Sequence, residues 1–126
     1  VLNFLMSKYK KLLSKTKKVR KLYDEKLFKL GISSIQTQSD TISNNHKFVI
    51  KVQDRDNLKA YLETKNIQSQ IHYALPLSKM KMFHTDQQMP NAEKFCGDVL
   101  SLPIHPFLED YEVAYVCKCI GEFYGV

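Results

Sequence analysis

The sequence predicts an α+β domain of two layers (α/β two-layer): a small sheet with a strand–helix–strand unit, packed by helices and preceded by one long helix. Three observations predict it. Apolar residues recur at steps of three and four from Leu2 to Leu30. Strand-like alternation runs through Phe48, Ile50 and Val52. A strand, a helix and a second strand then fit within about thirty residues, the length of a crossover unit.

The elements follow in order. Leu2, Leu5, Tyr9, Leu12, Val19, Tyr23, Leu27 and Leu30 form one stripe, with Thr16 filling the gap and lysines on the other faces. Gly31 sits where a C-terminal cap belongs. This stripe could lie on the sheet, on a missing domain or on a second copy of itself. Residues 33–45 are polar and turn-rich, with a short strand expected at Ile35–Thr37. His46–Val52 reads as a strand with Phe48, Ile50 and Val52 inward; Val49 breaks the alternation and suggests a partly covered outer face. Asp54 is the expected N-cap of a helix whose apolar face is Leu58, Tyr61 and Leu62, and Asn66 its left-handed terminator. Ile67–Tyr73 is the next strand, right-handed in its crossover if parallel to the first. Residues 78–89 are irregular, with at most a helical turn near Lys79–Phe83. Pro90 opens a helix to Val99, with Phe95 and Val99 inward. Leu100–Leu108 carries two prolines and must be extended. Asp110 caps a last helix to about Tyr124, buried along Val113, Val116, Ile120 and Phe123 or Tyr124.

At 126 residues this is one domain at most, long enough to bury roughly two-thirds of its unfolded surface. The division expected is a basic helix over 1–31 and a small α/β unit over 32–126. A hydrophobic content of 44% argues against global disorder. No apolar run is long enough to span a bilayer and no segment has the layout of a signal peptide, so no membrane partner and a cytoplasmic location are expected. Cys96, Cys117 and Cys119 are an odd set without framework spacing, expected as reduced, buried or half-buried residues. The chain begins at Val1; loss of an initiator Met and excision from a longer protein both account for that.

The net charge of +6 is uneven: residues 1–30 carry ten Lys/Arg against Asp24 and Glu25. A basic helix suits nucleic acid or an anionic surface, so a stand-alone basic binding or interaction module is the alternative function. A solvated lysine face is the plainer account. Tyr9 and Tyr23 lie on the apolar stripe and not among the lysines, which disfavours nucleic acid.

Few residues point to chemistry. His72-Tyr73 ends a strand before a Pro-containing loop, where polar side chains reach a crevice. The pair could hydrogen-bond a substrate phosphate or hydroxyl; it could equally be a histidine capping a carbonyl beside a packed tyrosine. His46 starts the other strand. His84 and His105 lie in loops. Cys117-x-Cys119 points to two sides of a helix, and no Cys-x-x-Cys or His-Glu-x-x-His is present, so no metal site is expected. The isolated glycines make no phosphate loop, and Ser101 has no nucleophile elbow around it.

One ordered set of motifs says more. It comprises His46-Lys47-Phe48-Val49-Ile50, Arg55-Asp56-Asn57-Leu58 with Tyr61-Leu62, and Ile67 to His72-Tyr73-Ala74-Leu75-Pro76. It continues through Pro90-Asn91-Ala92-Glu93 and Leu100-Ser101-Leu102-Pro103. This order resembles the C-terminal segment of the DegT/DnrJ/StrS-type nucleotide-sugar aminotransferases over about residues 5–124. Leu12, Arg20, Tyr23 and Leu27 resemble the family's bridging helix. Asn66 stands where the family favours Gly, and Ser78 where a histidine commonly follows Pro-Leu.

The resemblance implies the small lobe of a fold-type-I pyridoxal-phosphate transferase. The intact enzyme would be a homodimer moving an amino group from a donor such as glutamate to a keto sugar of a nucleotide sugar, in surface-glycan or deoxy-amino-sugar synthesis. The N-terminal domain with the Schiff-base lysine and the cofactor-binding residues would be a missing partner, so no catalytic or cofactor-binding residue is assigned here and the piece alone is expected inactive. By similarity, His72 and Tyr73 face the substrate cleft, Lys79 could meet a diphosphate, and His46 is a further candidate. Ser101-Leu102-Pro103 is expected to be a kinked segment under the sheet.

Overall fold

Thr16, Val19, Tyr23 and Leu27 share one side of a helix, and that side is buried. The computed structural model describes residues 2–83 and 85–126, without the side chains of Leu2 and Leu5. Helix α1 (Leu2–Lys29) packs its C-terminal half on the last helix. Its lysines from Lys8 to Lys21 are exposed. The N-terminal part of the stripe stays outside the core, with Leu12 half-buried and Tyr9 exposed. Gly31 takes φ 70°, and the Ile32 N–H donates to the Leu27 carbonyl at 3.0 Å. That bond ends α1 as a left-handed glycine cap does.

The sheet has three strands in the order β1-β2-β3, all antiparallel. β1 is Ser33–Ser34 and β2 is Phe48–Lys51. The short strand thus lies two residues before the expected Ile35–Thr37; the Ile35 N–H still reaches the Val49 carbonyl at 2.8 Å. β3 is Val99–Leu102, in register Phe48↔Leu102 and Ile50↔Leu100. This corrects the expected place of Ser101-Leu102: they are not under the sheet but are part of its third strand. Alternation turns Phe48, Ile50, Leu100 and Leu102 to the helices, where all four are buried.

Helix α2 (Arg55–Thr64) buries Leu58 and Leu62. Asp54 holds the N-cap position but makes no capping bond; it adopts a left-handed conformation and accepts from Asn57 Nδ2 at 2.8 Å. Asn66 (φ 58°) terminates α2 as expected, and the Ile67 N–H donates to the Leu62 carbonyl at 2.9 Å.

The expected strand Ile67–Tyr73 reduces to one antiparallel bridge, Gln70↔Ser101. β3 is antiparallel both to β2 and to this segment, so the segment runs parallel to β2 with β3 between them. The strand–helix–strand arrangement survives in this split form. Gln68, Ser69 and Gln70 are weak strand formers, which accounts for the short pairing.

Two 3₁₀ turns, Leu77–Lys79 and Lys81–Phe83, occupy the irregular stretch. His84 lies outside the described residues. Helix α3 (Pro90–Asp98) starts at its proline, but Phe95 is exposed. No residue of this short helix is fully buried, so the inward assignment fails for Phe95; Val99 is buried as part of β3.

Helix α4 (Asp110–Tyr124) begins one residue earlier than expected, because Glu109 and Glu112 form a reciprocal capping box. Asp110 instead pairs with Lys18 of α1 at 3.1 Å. Val113, Val116 and Ile120 are buried, joined by Cys117 and Cys119. The three cysteines are free. One core cluster joins α1, β2, α2, β3 and α4. No described helix is long and apolar enough to cross a membrane.

Candidate functional site

The face of β3 away from the helices carries Ser101, which alternates with Leu100 and Leu102. Ser101 is locked on one side by its bridge to Gln70: the Gln70 N–H donates to the Ser101 carbonyl at 3.0 Å and the Ser101 N–H to the Gln70 carbonyl at 2.8 Å. The segment beyond is extended, so Gln68, Gln70 and His72 point one way while Ile67 and Ser69 are buried.

That geometry makes a cleft of about 390 Å³ lined by His46, Lys47, Gln68, Gln70, His72, Ser101 and the stretch 102–105. The expected residues His46 and His72, 26 positions apart in the chain, meet here. His72 is half-buried, and its Nδ1 lies 3.0 Å from Ser101 Oγ. Tyr73 is exposed; its ring meets that of His72 edge-on at 5.8 Å, and Lys47 Nζ sits 5.3 Å from its centroid. The His72–Tyr73 peptide bond is cis.

Lys79 does not join this group. It is half-buried and pairs with Glu93 at 3.4 Å. Four polar cleft residues were not read from the sequence as candidates: Lys47, Gln68, Gln70 and His105. The period-two spacing of Gln68, Gln70 and His72 was a usable signal for Gln68 and Gln70; nothing local points to Lys47 or His105.

The cleft is electropositive. Lys47 and three histidines line it, and among the described residues no Asp or Glu does. Burial first, then the charges of Lys47 and His46, hold His72 below the usual histidine range, so its imidazole is neutral at pH 7. Such a wall can hold an anionic or hydroxyl-rich ligand by neutral and charged donors together. Among the described residues no three His, Cys, Asp or Glu side chains gather to hold a metal ion. A larger groove of about 790 Å³ beside α4, lined by Leu108, Tyr111 and Tyr115, contains none of the candidate residues.

The DegT/DnrJ/EryC1/StrS aminotransferase family model matches residues 1–121. A pleiotropic regulatory protein of Geobacillus stearothermophilus is 36% identical over 83 residues, 63% of this chain and 22% of that protein. The UDP-2-acetamido-2-deoxy-3-oxo-D-glucuronate aminotransferase of Pseudomonas aeruginosa is 26% identical over 104 residues, 82% of this chain and 29% of that protein. A crystal structure of a DegT DnrJ EryC1 StrS aminotransferase from Brucella abortus superposes with a TM-score of 0.89 at 25% identity, covering 100% of this chain and 35% of that one. The chain thus spans between a fifth and about a third of these relatives' lengths.

Proposed function

Because this chain belongs to the DegT/DnrJ/EryC1/StrS aminotransferase family, we propose that it is the C-terminal small lobe of a pyridoxal-phosphate enzyme that aminates a keto sugar carried by a nucleotide. Helix 1–31 would be the bridge to the large lobe and 32–126 the lobe itself. The amino donor would be glutamate or a similar amino acid, and the intact enzyme a homodimer in the cytoplasm.

The observation that supports this reading is the convergence of His46, Lys47 and His72 on one acid-free cleft. A nucleotide sugar brings an anionic diphosphate and several hydroxyls. Lys47 offers the diphosphate a charge, while neutral His72 offers a hydrogen bond that costs less to desolvate than an ionic one. Tyr73 does not line the cleft; held beside Lys47 and His72, it would offer a ring and a hydroxyl only to a substrate reaching past them. Lys79 would have to leave Glu93 to meet a phosphate and is the weaker candidate.

The cleft does not by itself fit pyridoxal phosphate, since among the described residues no carboxylate lines it to pair with a protonated pyridine nitrogen. The residues that hold the cofactor are therefore proposed to lie outside these 126, and the piece alone to be inactive. The test is His72→Ala in the intact enzyme. Loss of one hydrogen bond to substrate should lower kcat/KM for the keto sugar by about tenfold or more, with an unchanged circular dichroism spectrum. Unaltered kinetics would remove His72 from the site.

A further inference from the structure

Ser101 is only 6% exposed, and among the described residues the one hydrogen-bond partner of its Oγ is His72 Nδ1 at 3.0 Å. A hydroxyl carries a single proton to give, and a buried donor left without an acceptor is costly. If Nδ1 carried the histidine proton, it would donate to Oγ and leave the hydroxyl proton unmatched. If Nδ1 is bare, the hydroxyl donates to it and both groups are satisfied. The backbone of Ser101 is fixed by its two bonds to Gln70, so the hydroxyl cannot follow the imidazole elsewhere at little cost.

We propose that Ser101 is a positioning residue for His72: it holds the imidazole as the neutral form protonated on Nε2, so that His72 presents an N–H donor to a substrate oxygen in the cleft. The substrate-facing half of this inference rests on the proposed function; the tautomer rests on the geometry alone. The surroundings agree with a neutral ring. Lys47 and His46 bring positive charge from the approach to β2, His105 lines the same cleft from the segment after β3, and Tyr73 adds only a ring edge. Among the described residues no carboxylate lines the cleft to favour an imidazolium.

The experiment is long-range ¹H–¹⁵N correlation NMR of the ¹⁵N-histidine-labelled chain near pH 7.5, which separates protonated from bare ring nitrogens. The expected result is a bare Nδ1 and a protonated Nε2 for His72. A titration series adds two variants. Ser101→Ala removes a bond made to the neutral ring and should raise the His72 midpoint, whereas Ser101→Thr, which keeps the hydroxyl, should restore it. In the intact enzyme Ser101→Ala should lower kcat/KM about tenfold, as expected for one lost hydrogen bond, and Ser101→Thr should recover most of it.

A protonated Nδ1 in the unmodified protein overturns the inference whatever turnover does, and so does a midpoint that Ser101→Ala leaves in place. A protonated Nε2 together with a His72→Ala enzyme of normal turnover upholds the tautomer. That result would instead remove His72 from the substrate site and overturn the donor's role toward substrate.

Discussion

The Arg55 guanidinium donates from Nη1 to the Cys96 carbonyl at 2.8 Å, tying the first residue of α2 to the last turn of α3 across 41 positions of chain. Arg55 is only 9% exposed, and its Nε meets the Asp56 carboxylate at 2.9 Å. A charged donor on a helix's last carbonyls satisfies groups that α3 cannot satisfy internally. Arg55→Ala should therefore destabilise by about 1.5–3 kcal/mol, the range for a hydrogen bond to a charged group. Urea unfolding with an unchanged slope measures it. A loss below about 0.5 kcal/mol, typical of surface substitutions, would mean that α3 holds its place without this contact.

The neutral state of His72 predicts a pH dependence with a definite sign. Burial, then Lys47 and His46, lower its folded-state value beneath the ordinary 6.5. The unfolded chain therefore takes up the proton first as pH falls. The contribution of neutral His72 to stability is complete above pH 6.5 and is lost as pH falls through its folded-state value. Lys47→Gln removes one of the two charges and should move the His72 midpoint toward 6.5, read by NMR titration. A midpoint at or above 6.5 in the unmodified chain contradicts the assignment.

Much of this fold can be read from side-chain period and capping chemistry, because both act within a few residues. The buried run Thr16, Val19, Tyr23 and Leu27, the left-handed Asn66 and the inward Phe48 and Ile50 are local statements. The missed strand is a long-range matter. Val99–Leu102 became a strand because β2 offered an antiparallel partner, which no local pattern announces. One miss is local: Asp110 lost the cap to Glu109 because the Glu109–Glu112 box satisfies two groups at once. The candidate site divides in the same way. His72 and Gln70 share a face by period two, but Lys47 and His105 arrive through the sheet. Lys79, chosen for its charge alone, is drawn to Glu93, a partner that only the fold brings near.

Cysteine reactivity separates the three thiols. Cys117 is buried in the core and burial pushes its thiol up to about 12, with Lys26 offsetting a part of that. Cys119 is 1% exposed, while Cys96 is half-buried on α3. Only a thiolate attacks an alkylating reagent. Iodoacetamide at pH 8 should label Cys96 in the folded chain and leave Cys117 and Cys119 untouched until denaturant is added. Peptide mass mapping checks this, and early labelling of Cys117 would show that the α1–α4 contact opens readily.

Tyr23 is the residue through which α1 enters the core. It is fully buried, and its ring stacks on Phe48 with centroids 4.8 Å apart. Its hydroxyl is buried without a hydrogen-bond partner among the described residues, and burial drives its ionisation far above the usual tyrosine range. The ring and the hydroxyl therefore pull in opposite directions. Tyr23→Phe keeps the stack and removes an unsatisfied polar group, so it should raise stability by about 1–3 kcal/mol. Phe48→Ala removes the other half of the stack and leaves a cavity between β2 and α1, so it should cost about 3–5 kcal/mol. Denaturant melts of the two variants decide the matter together. A Tyr23→Phe chain less stable than its parent would mean that the hydroxyl finds a partner in solution, while Phe48→Ala would still report the packing term.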